Sequence, residues 1–169
     1  EYEFIAQIYE PPLQYHFLKR PYQLVPLAAT RMPEKQFFDA TGALLPEDVD
    51  PKQVAYTEYT VTIQSGIRYQ PHPAFSKDAT GEFHYHQLTP ADLQNINKLA
   101  DFESVASRIL TAEDYVYQIK RLAHPNLHSP LAGLLSNYIR GFKDFRSDVL
   151  TQLDQQETWL DLRQIAMSG

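Results

Sequence analysis

The chain has no cysteine, and that absence removes disulfide bridges, thiolate metal ligands and cysteine nucleophiles together. Zero cysteine does not by itself name a compartment. No apolar run approaches the ~20 residues that a bilayer-spanning helix needs. Positive charge is in deficit: 15 Lys and Arg stand against 21 Asp and Glu, a net −6. That balance argues against a nucleic-acid backbone as partner, because phosphate binding needs a basic surface. The sequence also lacks a glycine loop that could cradle phosphate, a G-x-S-x-G elbow and an H-E-x-x-H helix. Internal repeats and low-complexity tracts are missing as well.

Proline and tyrosine are abundant, with 12 and 11 residues. Those counts suit a loop-rich, aromatic-packed α+β body better than a helical bundle. With 43% hydrophobic and 21% charged residues the composition is globular. At 169 residues the chain is read as a single domain or subdomain, or a piece of something larger.

The most completely specified stretch is Leu110–Pro130, LTAEDYVYQIKRLAHPNLHSP. Thr111 is a natural N-cap, and Asp114 sits where a carboxylate reaches back in a capping box. Ala112, Tyr115, Val116, Ile119, Leu122 and Ala123 form one helical stripe. Glu113 and Asp114 occupy the first turn and Lys120 and Arg121 the last, as the helix dipole favours. Pro125 ends the helix and pushes His124 out of the α region. Ser129-Pro130 then offers an N-cap and an N1 proline for a second helix. Leu131, Leu134, Leu135, Tyr138, Ile139 and Phe142 carry its pattern, Gly141 weakens its end, and Phe145, Val149 and Leu153 predict a further turn or two.

Upstream, Glu1–Glu10 reads as a short helix stopped by Pro11-Pro12, so any targeting segment is expected to lie upstream or to have been removed. Residues 12–26 read as irregular and aromatic, with a turn at Lys19-Arg20-Pro21, and Pro26 confines Leu24–Ala29 to an edge or extended approach. Gln36–Phe38 and Ala43–Leu45 flank Asp39-Ala40-Thr41-Gly42, a hairpin signal. Val54–Gln64 is the clearest strand, alternating cleanly from Tyr59 onward. Glu82–Leu88 is a second strand candidate through Phe83 and Tyr85. Thr89-Pro90-Ala91-Asp92 reads as a helix start followed by Leu93, Ile96, Leu99 and Ala100, and residues 101–110 as connector. Trp159–Leu162 is a C-terminal piece without an assignment.

Three constellations could carry chemistry. His84 and His86 would share one face of a strand, a spacing that chelates zinc or nickel. No third ligand is placed beside them, so no metal site and no cofactor is assigned. Glu113 with Asp114, or Asp39 with His72, could be imagined as acid–base pairs, but capping and turn chemistry already account for them. The chain is not read as an enzyme. The tyrosines could line a ligand wall, or simply pack.

The segment LTAEDYVYQIKRLAHP…SP resembles the T-A-x-D-hydrophobic…R-x-x-D/H-P…SP signature of the family 5 extracellular solute-binding proteins, the peptide- and nickel-class binding components of ABC importers. IYEPPLQY, LVPLAATRMPE, TEYTVTIQSGIRYQ and SPLAGLLSNYIRGF are similar to further family segments in the same order. The resemblance covers most of the chain, from about Ile8 to Gly141. It departs from the family at residues 76–108, an apparent surface insertion. Full members are much longer and close two lobes around the ligand. The resemblance therefore implies an α+β fold with a small mixed or antiparallel sheet, a hairpin and several packed helices, forming part of lobe I of a two-lobed periplasmic binding protein (type II, class C). It also implies capture of an oligopeptide or similar solute, docking on a membrane permease, a monomer, and a periplasmic or extracellular location with a lipid anchor as one option. Tyr9 and Glu10, and Leu131 and Ala132, are the positions it brings to the ligand cleft. Peptides, nickel complexes and oligosaccharides all stay open as ligands. A stand-alone α+β protein-interaction domain, using its Pro- and Tyr-rich loops, is the alternative.

Overall fold

The computed structural model describes residues 10–155 together with Leu162, Ile165 and Met167. Tyr9, all but the last residue of the helix expected at Glu1–Glu10, and most of Trp159–Leu162 lie outside the described residues. The chain is an α+β protein with, among the described residues, two small antiparallel sheets and three α-helices. It divides into two compact units, Glu1–Leu110 and Thr111–Gly169. Among the described residues the strands lie in the first and the α-helices in the second.

In the first unit β1 (Leu13–Tyr15) pairs with β2 (Leu24–Pro26), with Leu13 opposite Pro26 and Tyr15 opposite Leu24. The region read as irregular is therefore a hairpin. Pro26 sits at the end of a two-stranded edge, where its missing N–H costs no ladder bond. Backbone bonds from Leu27 and Ala29 to the Pro12 carbonyl continue the pairing, and Ala28 and Ala29 are fully buried.

The second sheet orders β4 (Leu44–Leu45), β3 (Glu34–Phe38) and β5 (Tyr56–Thr60). The hairpin of β3 and β4 turns at Gly42, whose φ of 84° is a conformation glycine reaches without Cβ strain. Phe38 and Tyr56 face each other across β3 and β5 with stacked rings 5.0 Å apart. β5 is shorter than the alternation predicts. Its last pair is Glu34 with Thr60, and the residue before Glu34 is Pro33, which has no N–H for the next rung. Past that rung, Thr30 N–H reaches the Thr62 carbonyl at 2.8 Å and the Gln64 side chain reaches the Leu27 carbonyl at 2.7 Å.

Residues 76–108 form neither the expected strand nor the expected helix. Phe83 bridges back to Lys77 and then stacks on His86, with ring centroids 3.9 Å apart, which folds 84–87 into a turn. Tyr85 is drawn away to Phe102, and its hydroxyl oxygen accepts the Ser104 N–H at 3.1 Å. At Thr89 the cap itself forms: the Asp92 carboxylate accepts the Thr89 N–H at 2.8 Å and its hydroxyl at 2.6 Å. The chain then continues as isolated turns and a 3-10 turn at Leu99–Asp101. Leu93 and Leu99 are exposed, so the apolar stripe has no surface to bury against and the cost of nucleating a helix is not offset. The 101–110 connector is extended instead, bridging Arg68 from Ile109 and His72 from Ala106.

The second unit holds α1 (Ala112–Ala123), α2 (Ala132–Tyr138) and α3 (Phe142–Gln155). Asp114 caps α1 as the sequence predicts, taking the Thr111 N–H at 2.9 Å. His124 leaves the helix at φ −65°, ψ 123°, the extended geometry that a following proline imposes. The second expected helix is cut in two. Ile139 turns extended and Gly141 takes φ 78°, so Phe142 begins α3, which runs 14 residues rather than a turn or two. Phe142, Phe145 and Val149 line its inner face and share one core with Ala123, Ala132 and Leu162. The Arg146 guanidinium donates to the Ala123 carbonyl at 2.7 Å, satisfying an orphan acceptor at the end of α1.

Candidate functional site

The candidate site grows out of the link between α1 and α2. His124 accepts the Asn126 N–H through its Nδ1 at 3.3 Å and opens a 3-10 turn over Pro125–Leu127. His128 then takes the left-handed conformation, φ 47°, which reverses the chain. Ser129 Oγ accepts the Leu131 N–H at 3.3 Å, and the Ser129 carbonyl accepts from Ala132. Ser129 thus caps the approach, and regular α2 starts at Ala132, two residues after the proline.

This start fixes the two faces of α2. Ala132, Leu135 and Ile139 turn to the helical core. Leu131, Leu134 and Tyr138, at i, i+3 and i+7, turn away from it and are 48%, 53% and 80% exposed. The sequence shows all of these as one apolar pattern and does not separate the faces. The i, i+3, i+7 spacing of Leu131, Leu134 and Tyr138 is the signal that picks out the second stripe. An exposed apolar stripe of this kind carries no acid or base; it can bind an apolar side chain or a partner surface. Of the two residues expected here, Leu131 supplies exposed surface, whereas the Ala132 methyl is buried in the core. Glu10 is exposed in the first unit.

The residues considered for other chemistry have local duties. His84 and His86 stand in a turn rather than on one face of a strand, which corrects the chelating geometry read from their spacing. His86 Nε2 lies 3.1 Å from the Ala74 carbonyl. Among the described residues no three His, Asp or Glu side chains gather where a metal could sit. His72 Nδ1 accepts the Ala74 N–H at 3.1 Å and caps the 3-10 turn Pro73–Phe75.

Asp39 and Asp78 open two turns of the same sequence, D-A-T-G, with the same bonds, a short repetition missed in the sequence. In each turn the carboxylate Oδ1 accepts a backbone N–H at 2.8 Å and a threonine hydroxyl at 2.6 Å, and then a second N–H at 3.0 Å. The Thr41 hydroxyl, helped by the Ala43 N–H, holds the Asp39 carboxyl below its ordinary range. The Thr80 hydroxyl does the same for Asp78, and Thr89 for Asp92. These carboxylates are committed to turns and caps, and none is a poised acid or base.

No known protein family, no curated protein and no solved structure matches the chain. Among the described residues no helix is long and apolar enough to cross a membrane.

Proposed function

We propose that this chain belongs to a solute-binding component of an ABC importer of the peptide class, and that the exposed face of α2 forms part of its ligand wall. The reading rests first on the ordered resemblance of five segments, with Thr111–Pro130 the most specific. Its single structural support is the stripe Leu131, Leu134 and Tyr138, which stands solvent-facing where the resemblance brings the chain to the cleft. Apolar side chains with one phenol suit a site that accepts varied peptide side chains while backbone groups fix the ligand. The mechanism is capture: a second lobe closes on the bound ligand, and the closed form docks on the permease.

Titration calorimetry of the full-length protein against a peptide library tests this. A peptide that binds, with affinity lowered on the order of tenfold or more by Leu131→Asp, is the expected result; each 1.4 kcal/mol is tenfold. Binding unaffected by Leu131→Asp and Leu134→Asp removes α2 from the site. Failure of every peptide, nickel complex and oligosaccharide removes the importer reading and leaves the α+β interaction domain, whose support is the many exposed aromatic residues of the first unit.

A further inference from the structure

The hairpin of β1 and β2 ends in a tip that the importer reading does not use. The loop is closed by His16 N–H on the Gln23 carbonyl at 2.7 Å, and its turn is held by His16 Nδ1, which accepts the Leu18 and Lys19 N–H groups at 3.2 and 3.3 Å. That turn projects Phe17 and Leu18 side by side, 87% and 77% exposed. Next to them come Lys19 and Arg20, and among the described residues no carboxylate pairs with either. The Arg20 guanidinium folds back over Tyr22, 4.3 Å from the ring centroid, and bonds to the Lys19 carbonyl at 3.0 Å. Tyr22 meets Tyr15 edge-on at 6.0 Å, and both rings are mostly exposed.

Charge is equally local. Residues 11–33 contain no Asp or Glu, although the chain as a whole carries −6. A basic, aromatic finger on an acidic protein is complementary to an anionic surface. Its layering favours a lipid surface over a protein. Along the loop two exposed apolar side chains are followed by two cations with flexible stems and then by Tyr22, the residue types that meet acyl chains, headgroup phosphates and the interfacial aromatic belt. Phe17 stands two positions beyond Tyr15, the last residue of β1, which is a reach of at most about 7 Å. That span lies within the roughly 5–10 Å to which interfacial anchors penetrate. An acidic protein partner would instead need a pocket to receive the protruding wedge.

We propose that the Leu13–Pro26 hairpin is a membrane-surface contact, inserting Phe17 and Leu18 among the lipids while Lys19 and Arg20 engage anionic headgroups. The contact stands whether or not the chain serves an importer.

Flotation of the full chain with phosphatidylcholine vesicles holding about 30% phosphatidylglycerol, and with pure phosphatidylcholine, tests it. The protein is expected to float with the anionic vesicles and to be released by salt. Lys19→Gln with Arg20→Gln is expected to weaken partitioning by roughly 20- to 30-fold, about fivefold per cation. Phe17→Ala with Leu18→Ala is expected to weaken it on the order of tenfold or more while charge is unchanged. Because these side chains are exposed, circular dichroism is expected to be the same for all variants. No flotation with either vesicle overturns the proposal, and so does equal flotation of wild type and both variants. Equal binding to neutral vesicles overturns the role of the cations. If vesicles are never bound but the Phe17/Leu18 variant loses self-association or an acidic protein partner, the tip is a protein interface and the lipid assignment is wrong.

Discussion

Replacing Phe142 by alanine is the sharpest test of how the second unit is held together. Phe142 is fully buried at the start of α3, in one cluster with Ala123, Ala132, Phe145, Val149 and Leu162. Truncating a buried phenylalanine costs about 3–5 kcal/mol, the lost transfer energy plus that of the void. A unit of this size, at roughly 0.05–0.15 kcal/mol per residue, has a margin of about 3–9 kcal/mol. The substitution therefore removes a third of the margin or all of it. Hydrogen exchange of the amides in Ala112–Ala123 and Phe142–Gln155 reads the effect directly, since protection tracks the free energy of opening. At 1.4 kcal/mol per factor of ten, exchange should accelerate by about two to three and a half orders of magnitude. Phe142→Leu keeps most of the volume and should cost about 1.5 kcal/mol or less. Unchanged protection in Phe142→Ala, or equal effects of the two variants, would refute a core centred on this ring.

Particular bonds and turns lead to three more expected outcomes. Asp114→Ala removes the carboxylate that accepts the Thr111 N–H, and should lower stability by about 0.5–2 kcal/mol in denaturant unfolding, the usual worth of an N-terminal cap. Gly141→Ala places a Cβ at φ 78° between α2 and α3, which should cost about 1–2 kcal/mol; an unchanged thermal midpoint would mean that the break is not left-handed. Asp39 and Asp78 have carboxyl groups held below their unfolded range, so their contribution is fully present above the unfolded pKa and is lost as pH falls through the folded value. Urea midpoints measured from neutral pH down into the acid range should fall more for wild type than for the Asp39→Ala, Asp78→Ala double variant, and parallel profiles would exclude the turns as the source.

Sequence by itself determined the features whose physics is local. The cap at Thr111 and Asp114, the stop at Pro125 and the turn at Gly42 depend on a few neighbouring residues and on rotations that proline and glycine permit. The same local logic failed where a pattern needed something to pack against. The cap at Thr89 formed but its helix did not, because Leu93 and Leu99 remained in solvent. The alternation through Phe83 and Tyr85 was taken up by a ring stack on His86 and by contacts with Phe102 and Ser104. β5 ended early because Pro33 precedes the strand it pairs with, and that pairing joins residues too far apart in the chain for any local window to contain. The candidate site divides the same way. Ser129-Pro130 announces a second helix, but which leucines face inward depends on where that helix starts and on the core that Phe142, Phe145 and Val149 offer it. Only tertiary structure placed Ala132 and Leu135 inside and left Leu131, Leu134 and Tyr138 outside, because burial is a property of the surface a helix meets, not of the helix alone.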